Sequence, residues 1–209
     1  MSNRKKIFNF NEHLQDNFWL YMISLLCVFT GIVLGIYAVK YMGDFENSNL
    51  SNYLSSFTEN IGQENFQYRN MFTDILKNNL PYIISIWFLG LTMIGIPIIL
   101  VIDLIKGFTL GFTISFMIKG FGTKGISVVL LGVLPQNLVY IPCIIISSVI
   151  AMEFSMTILK DRINKQWTSS IWMKITSYSF SYIIIFLIMC CGFALETFIT
   201  PHLVKFILA

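Results

Sequence analysis

The residues able to do chemistry are few, and most stand in apolar surroundings. The two histidines, His13 and His202, lie near opposite ends of a 209-residue chain. A metal site or catalytic dyad needs its members close together, and the topology read below sends these two to opposite faces. There is no His-Glu-x-x-His zinc helix, no Gly-x-Ser-x-Gly nucleophile elbow and no phosphate-binding glycine loop. No apolar run carries paired acids for general acid–base work. The four cysteines, Cys27, Cys143, Cys190 and Cys191, sit in apolar stretches, where a thiol packs as a small hydrophobe. Neither catalysis, nor a metal, nor a cofactor is expected. Asp103, Lys106 and Lys119 bracket a short apolar run. Asp103 and Lys106 are three apart and can pair across one helical turn, so they are expected as anchors at the membrane interface.

The most informative polar stretch is Leu134-Pro135-Gln136-Asn137, with Pro142 just beyond. Proline removes a backbone donor and clashes with the preceding turn. In lipid the freed backbone groups must be satisfied locally. Three readings stand. The amides of Gln136 and Asn137 stabilise a kink of their own helix; or the broken helix forms a ligand or ion site, as in transporters; or it is a hinge that senses a partner. A second pattern is small residues at every fourth position: Cys27, Gly31 and Gly35; Gly107, Gly111 and Ser115; Ser147, Ala151 and Ser155. Residues four apart share a helix face. Small ones let backbones approach, so that dispersion replaces the hydrophobic drive that lipid does not provide. Such seams pack either within the chain, or in a homo-oligomer, or against another membrane protein.

These residues are positioned by elements that the composition restricts severely. Hydrophobic residues make up 56% of the chain and charged ones 12%, and the mean hydropathy is +0.71. Soluble domains carry about twice that share of charge. A soluble enzyme, a disordered chain and a nucleic-acid-binding protein are excluded, and membrane lipid is the main solvent. A helical span needs about 20 apolar residues, which leaves room for roughly five. The charge-free runs place them at 17–39, 78–102, a short one stretched by snorkelling lysines to 104–122, one after Lys124 that contains Pro135, and 175–195. The expected fold is an all-α, polytopic membrane helix bundle. It has about five transmembrane helices, a proline-broken fourth helix and a single domain over 1–209.

Arg4, Lys5 and Lys6 precede the first span, and Lys160, Arg162, Lys165 and Lys174 crowd the connection before the last. The positive-inside rule puts both segments in the cytoplasm. The N-terminus is then cytoplasmic and the C-terminus extracytoplasmic. Ile7, Phe10, Leu14 and Phe18 form a helical stripe, so residues 1–17 are expected as a segment lying on the inner surface. The connection 40–77 falls outside. There, Leu50, Tyr53, Leu54, Phe57 and Ile61, and then Tyr68, Phe72, Ile75 and Leu76, keep a helical period. Two amphipathic helices follow from that period. They either lie on the outer membrane surface or use Tyr53, Phe57, Tyr68 and Phe72 to dock an extracellular partner.

Residues 78–156 resemble the stage II sporulation protein M family. The resemblance rests on Asn78-Asn79-Leu80, on Gly90 and Gly95, and on Lys106-Gly107-Phe108-Thr109-Leu110-Gly111-Phe112-Thr113. Leu134-Pro135-Gln136-Asn137-Leu138 and Ile141-Pro142 complete it. Members outside the spore-formers often carry Pro-His-Gly where this chain has Pro-Gln-Asn, which places it with the sporulation branch. The resemblance implies a multi-pass protein of the mother-cell engulfing membrane. It implies a non-enzymatic scaffold that anchors two peptidoglycan hydrolases, the stage II sporulation proteins D and P, during forespore engulfment. A small transporter or permease subunit is the alternative.

Overall fold

The computed structural model describes residues 10–43, 68–92, 94–163 and 171–199. No strand occurs among them. The elements are α1 (Phe10–Asp16), α2 (Phe18–Lys40), α3 (Tyr68–Gly90), α4 (Gly95–Phe121), α5 (Thr123–Val128), α6 (Leu134–Ile163) and α7 (Ile171–Ala194). A first π-helical turn, Val129–Val133, joins α5 to α6, and a second, Leu195–Ile199, ends α7. Among the described residues, four helical runs are long and apolar enough to cross a membrane: Phe18–Lys40, Gly95–Phe121, Thr123–Ile163 and Ile171–Phe198. Helix α3 falls short because Arg69, Asp74, Lys77, Asn78 and Asn79 load its first half.

Contacts fix the helix directions. Ser24 meets Asp103, Gly31 meets Leu104, Gly111 meets Ile32, and Lys119 reaches Val39, so α2 and α4 run parallel. Asn79 bonds Lys106 across the tight turn between α3 and α4, which makes that pair antiparallel. Ser148 on Asp103 sets α6 against α4, and Tyr182 on Ser147 sets α7 against α6. Because α2 and α4 point the same way, the chain must return between Tyr41 and Gly95. Helix α3 makes that return. Its 23 residues span about 35 Å, enough for a bilayer core of about 30 Å. The result is a helix bundle in which consecutive long helices alternate in direction. Trp19 (78% exposed) and Tyr41 (76% exposed) sit at the two ends of α2. They are about 33 Å apart along the helix, a spacing that puts both rings at the interfaces.

Three boundaries differ from those read off the sequence. The second span is not 78–102, and the third does not start at 104. The chain turns at Leu91–Ile94, where the amides of Leu91 and Thr92 bond the carbonyls of Phe88 and Leu89. The tight turn needs Gly95, since a methyl there would overlap the Leu89 carbonyl. Asp103 and Lys106 do not end a span because side chains of other helices satisfy them, and α4 runs straight through. The second outer amphipathic helix is not a separate interfacial element. Its residues open α3, with Ile75 buried and Leu76 packed on the core. Tyr53 and Phe57, and the expected helix that carries them, lie outside the described residues.

The interruption of the fourth span takes the form of the first π-helical turn. Pro135 offers no N–H to the preceding turn and its ring crowds that turn's carbonyl. Widening the helix by one residue relieves the crowding without breaking the run. The core lies between α3, α6 and α7. Tyr178 stacks on Phe154 with ring centroids 4.3 Å apart, and its hydroxyl donates to the Trp87 carbonyl. Tyr182 donates to the Ser147 carbonyl at 2.7 Å. Replacing Tyr182 by phenylalanine removes this bond and leaves the carbonyl with its helical N–H alone. A loss of about 1 kcal/mol is expected in unfolding measured in detergent.

Candidate functional site in the membrane core

The small residues of α2 and α4 face each other. A methyl added to Gly31 would overlap the Leu104 carbonyl oxygen, and one added to Gly35 the Phe108 carbonyl. Added to Gly107 or Gly111, it would overlap the carbonyls of Val28 or Ile32. The two backbones are in van der Waals contact over about two turns, a distance only glycine allows. Ser115 continues the stripe and is half-buried. Of the third stripe, Ala151 packs against Gly90, and Ser155 donates to the Thr92 carbonyl at 2.7 Å, closing the α3–α4 turn onto α6.

Directly below this seam sits Asp103. It is 0% exposed, and its two oxygens accept hydrogen bonds from Ser24 and Ser148, each at 2.6 Å. One carboxyl group therefore ties α4 to α2 and α6 at once. Lys106 lies one turn on, at about the middle of α4. Its ammonium donates to Asn79 Oδ1 at 2.9 Å and rests 4.6 Å from the centre of the Tyr82 ring. The Tyr140 hydroxyl of α6 donates to Glu196 Oε2 at 2.7 Å. Asp103 and Lys106 are thus deep in the bundle and not interfacial anchors, as expected above. Their partners on α2, α3 and α6 come from sequence segments 27–79 residues away. Lys119 does end its helix, with Nζ on the Val39 carbonyl.

Asn137 donates its amide to the Val133 carbonyl at 2.8 Å, so it helps to satisfy its own helix at the π turn. It also lines a small pocket with Val28, Lys106, Gly107, Leu110, Ile141 and Ile144, with room for about one water molecule. Pro135 stands in the first turn of α6, Gln136 is half-buried, and Pro142 is accommodated inside α6. Phe72 is 40% exposed on α3. Tyr68 opens that helix, but its side chain is outside the described set, as is His202. His13 Nδ1 on α1 lies 3.4 Å from Glu153 on α6. The four cysteines are free. Among the described residues, no three His, Cys, Asp or Glu side chains are grouped to hold a metal ion.

Sequence reasoning missed Ser24, Ser148, Asn79, Tyr140 and Glu196 as partners of charges. One signal was present: Asp103 stands four before Gly107 and eight before Gly111, on the same stripe. A charge on a helix-packing face is deep wherever that face is buried.

A family model described as Stage II sporulation protein M matches residues 24–201. No curated protein and no solved structure matches.

Proposed function

Because the chain belongs to the stage II sporulation protein M family, we propose that it is a non-enzymatic membrane scaffold. It anchors and positions peptidoglycan hydrolases, the stage II sporulation proteins D and P, during forespore engulfment. Its place is the mother-cell engulfing membrane, with the N-terminus cytoplasmic and the C-terminus outside. The chain is a multi-pass, sporulation-related membrane protein. The observation that supports a scaffold is the closure of the core. Asp103, Lys106, Asn137 and Glu196 each bond groups of the same bundle, and the pocket beside Lys106 has room for about one water. Such a body holds fixed outer surfaces in place. A hydrolase tethered to it searches a smaller volume, so effective concentration replaces intrinsic affinity.

The orientation rests on the basic segments. His13 against Glu153 supports it, since the contact puts the N-terminal segment and the basic end of α6 at one end of the bundle. Candidate contact surfaces are the outer connection, with Tyr53, Phe57, Tyr68 and Phe72, and the lipid-facing helices. Co-purification from native membranes tests the scaffold: the hydrolases are expected among the bound proteins. Deleting residues 48–61 tests the outer surface: hydrolase localisation and engulfment should fail together. Normal engulfment after that deletion removes the outer connection as the docking site.

The transporter reading draws on charges at mid-membrane depth, which default to function. Asn137→Leu separates the two. A transporter loses flux while it stays assembled, whereas a scaffold keeps its partners.

A further inference from the structure

Helices α3 and α7 are joined at both ends of their seam and stand apart between them. At one end the Tyr178 hydroxyl donates to the Trp87 carbonyl, and the Trp87 indole N–H donates to Ser179 Oγ at 3.3 Å. At the other end the second π-helical turn touches α3. Between these points a groove of about 360 Å³ opens towards lipid. Its floor is Ile83 and Tyr182, both buried, and its rims are Ile84 and Ile183, both exposed. Leu80 and Phe186 line the end away from Trp87. On each helix the lining residues recur at i, i+3, i+4 and i+7, so the groove follows one face of each for about two turns.

The depth of the groove follows from its neighbours. Leu80 adjoins Asn79, which bonds Lys106 at about the middle of α4. Trp87 lies about 10 Å further along α3, towards the turn that Ser155 closes onto α6. Glu153, which meets His13, is on the same stretch of α6 as Ser155. The groove therefore runs from the bilayer centre into the leaflet on the His13 side. It ends within that leaflet, whose hydrocarbon is about 15 Å deep.

Its lining selects the occupant. The polar groups there have partners: Trp87 bonds Ser179, and Tyr182 donates to the Ser147 carbonyl. No charged side chain lines the groove, so it offers nothing to a headgroup or an ion. A second helix fits poorly, because helices approach each other in lipid through small residues and these rims are isoleucines. A groove about 10 Å long also falls far short of the about 800 Å² that each side of a stable protein interface buries. A hydrocarbon chain does fit. A methylene group is about as large as a water molecule, about 30 Å³, so the groove takes about a dozen of them. Packed proteins leave few gaps larger than a water molecule, and the molecules at hand to close this one are acyl chains.

We propose that the groove between α3 and α7 is a binding site for one phospholipid acyl chain from the leaflet on the His13 side. The chain completes the seam where the two helices do not meet. The site recognises hydrocarbon and is indifferent to the headgroup. This assignment rests on the membrane setting of the bundle and not on the scaffold reading.

Trp87 reports on the groove directly. Of the four tryptophans, Trp19, Trp167 and Trp172 are replaced by phenylalanine in the full-length chain. The protein is placed in liposomes of dioleoylphosphatidylcholine mixed with the same lipid brominated halfway along its chains. Bromine quenches tryptophan on contact. Trp87 fluorescence should fall in proportion to the brominated fraction, the signature of a single neighbouring chain. A control with Trp87→Phe and Phe88→Trp puts the reporter on an exposed position of α3. It has several lipid neighbours and should fall more steeply at first. Transferred to detergent, the chain should keep one phospholipid in native mass spectrometry, equally from phosphatidylcholine and phosphatidylglycerol liposomes. Ser179→Leu fills the end beside Trp87 and should lower that retained lipid about tenfold. Identical quenching curves at the two positions would mean ordinary surrounding lipid and overturn the site. Absence of quenching at Trp87 would mean that protein covers the groove, and overturns it too. Equal lipid retention in a monodisperse Ser179→Leu chain would do the same. If that variant aggregates, Ile84→Phe narrows the mouth and carries the test with the same two outcomes.

Discussion

Gly107→Leu is expected to prevent the bundle from assembling. A single methyl at this position already overlaps the Val28 carbonyl oxygen, and the next atoms in line are the carbonyl carbon and Cα of the same residue. All of these are backbone atoms of a straight helix, so no rotamer change makes room. The whole of α2 must move away from α4. That breaks the neighbouring contacts of Gly31, Gly35 and Gly111, and with them the Ser24–Asp103 bond. Overpacking an ordinary core costs about 1–3 kcal/mol, and a backbone obstacle puts this site at or above about 3 kcal/mol. Thermal unfolding in detergent and the steady-state level in membranes both measure it. Gly107→Ala should already cost about 1 kcal/mol or more for the same reason. Adding Gly31→Ala should cost less than it does alone, because the helices have already parted. Native stability in Gly107→Leu would mean that α2 and α4 are not packed as described.

The second large effect concerns Asp103, and the order of the variants is the test. Ser24→Ala with Ser148→Ala leaves a fully buried carboxyl group without a donor. Each hydroxyl bond to such a group contributes about 1.5–3 kcal/mol, so the pair should cost about 3–6 kcal/mol. Asp103→Ala removes the acceptor. The two serines can then turn to carbonyls of their own helices, so the loss should be smaller, at about 2–3 kcal/mol plus the cavity. The triple variant Ser24→Ala, Asp103→Leu, Ser148→Ala strands no polar group and should recover much of the stability lost by the serine pair. Equilibrium unfolding of the four proteins in one detergent gives the order. If Asp103→Ala proves more damaging than the serine pair, the carboxyl group is stabilised by something other than these hydroxyls.

These two sites also show how far the sequence reaches. The glycine stripes were legible because a spacing of four is a property of one helix and needs no knowledge of its neighbour. The same spacing could not say that Gly31 and Gly35 would meet Gly107 and Gly111, rather than a second copy or another protein. Asp103 and Lys106 were misplaced because a charge in an apolar run usually marks the end of a span. Here their partners lie on α2, α3 and α6, far away along the chain.

By itself the sequence determined that lipid is the solvent and that the chain is helical throughout its apolar runs. Those outcomes follow from local free energies: transfer of side chains into hydrocarbon, and closure of backbone hydrogen bonds within each segment. Only the tertiary structure decided that the glycines of α2 and α4 face each other, that α3 opens at Tyr68 and ends at a turn at Leu91–Ile94, and that charges sit in the middle of α4. A buried charge is tolerated wherever partners converge on it, and convergence between distant segments is not written in either one of them.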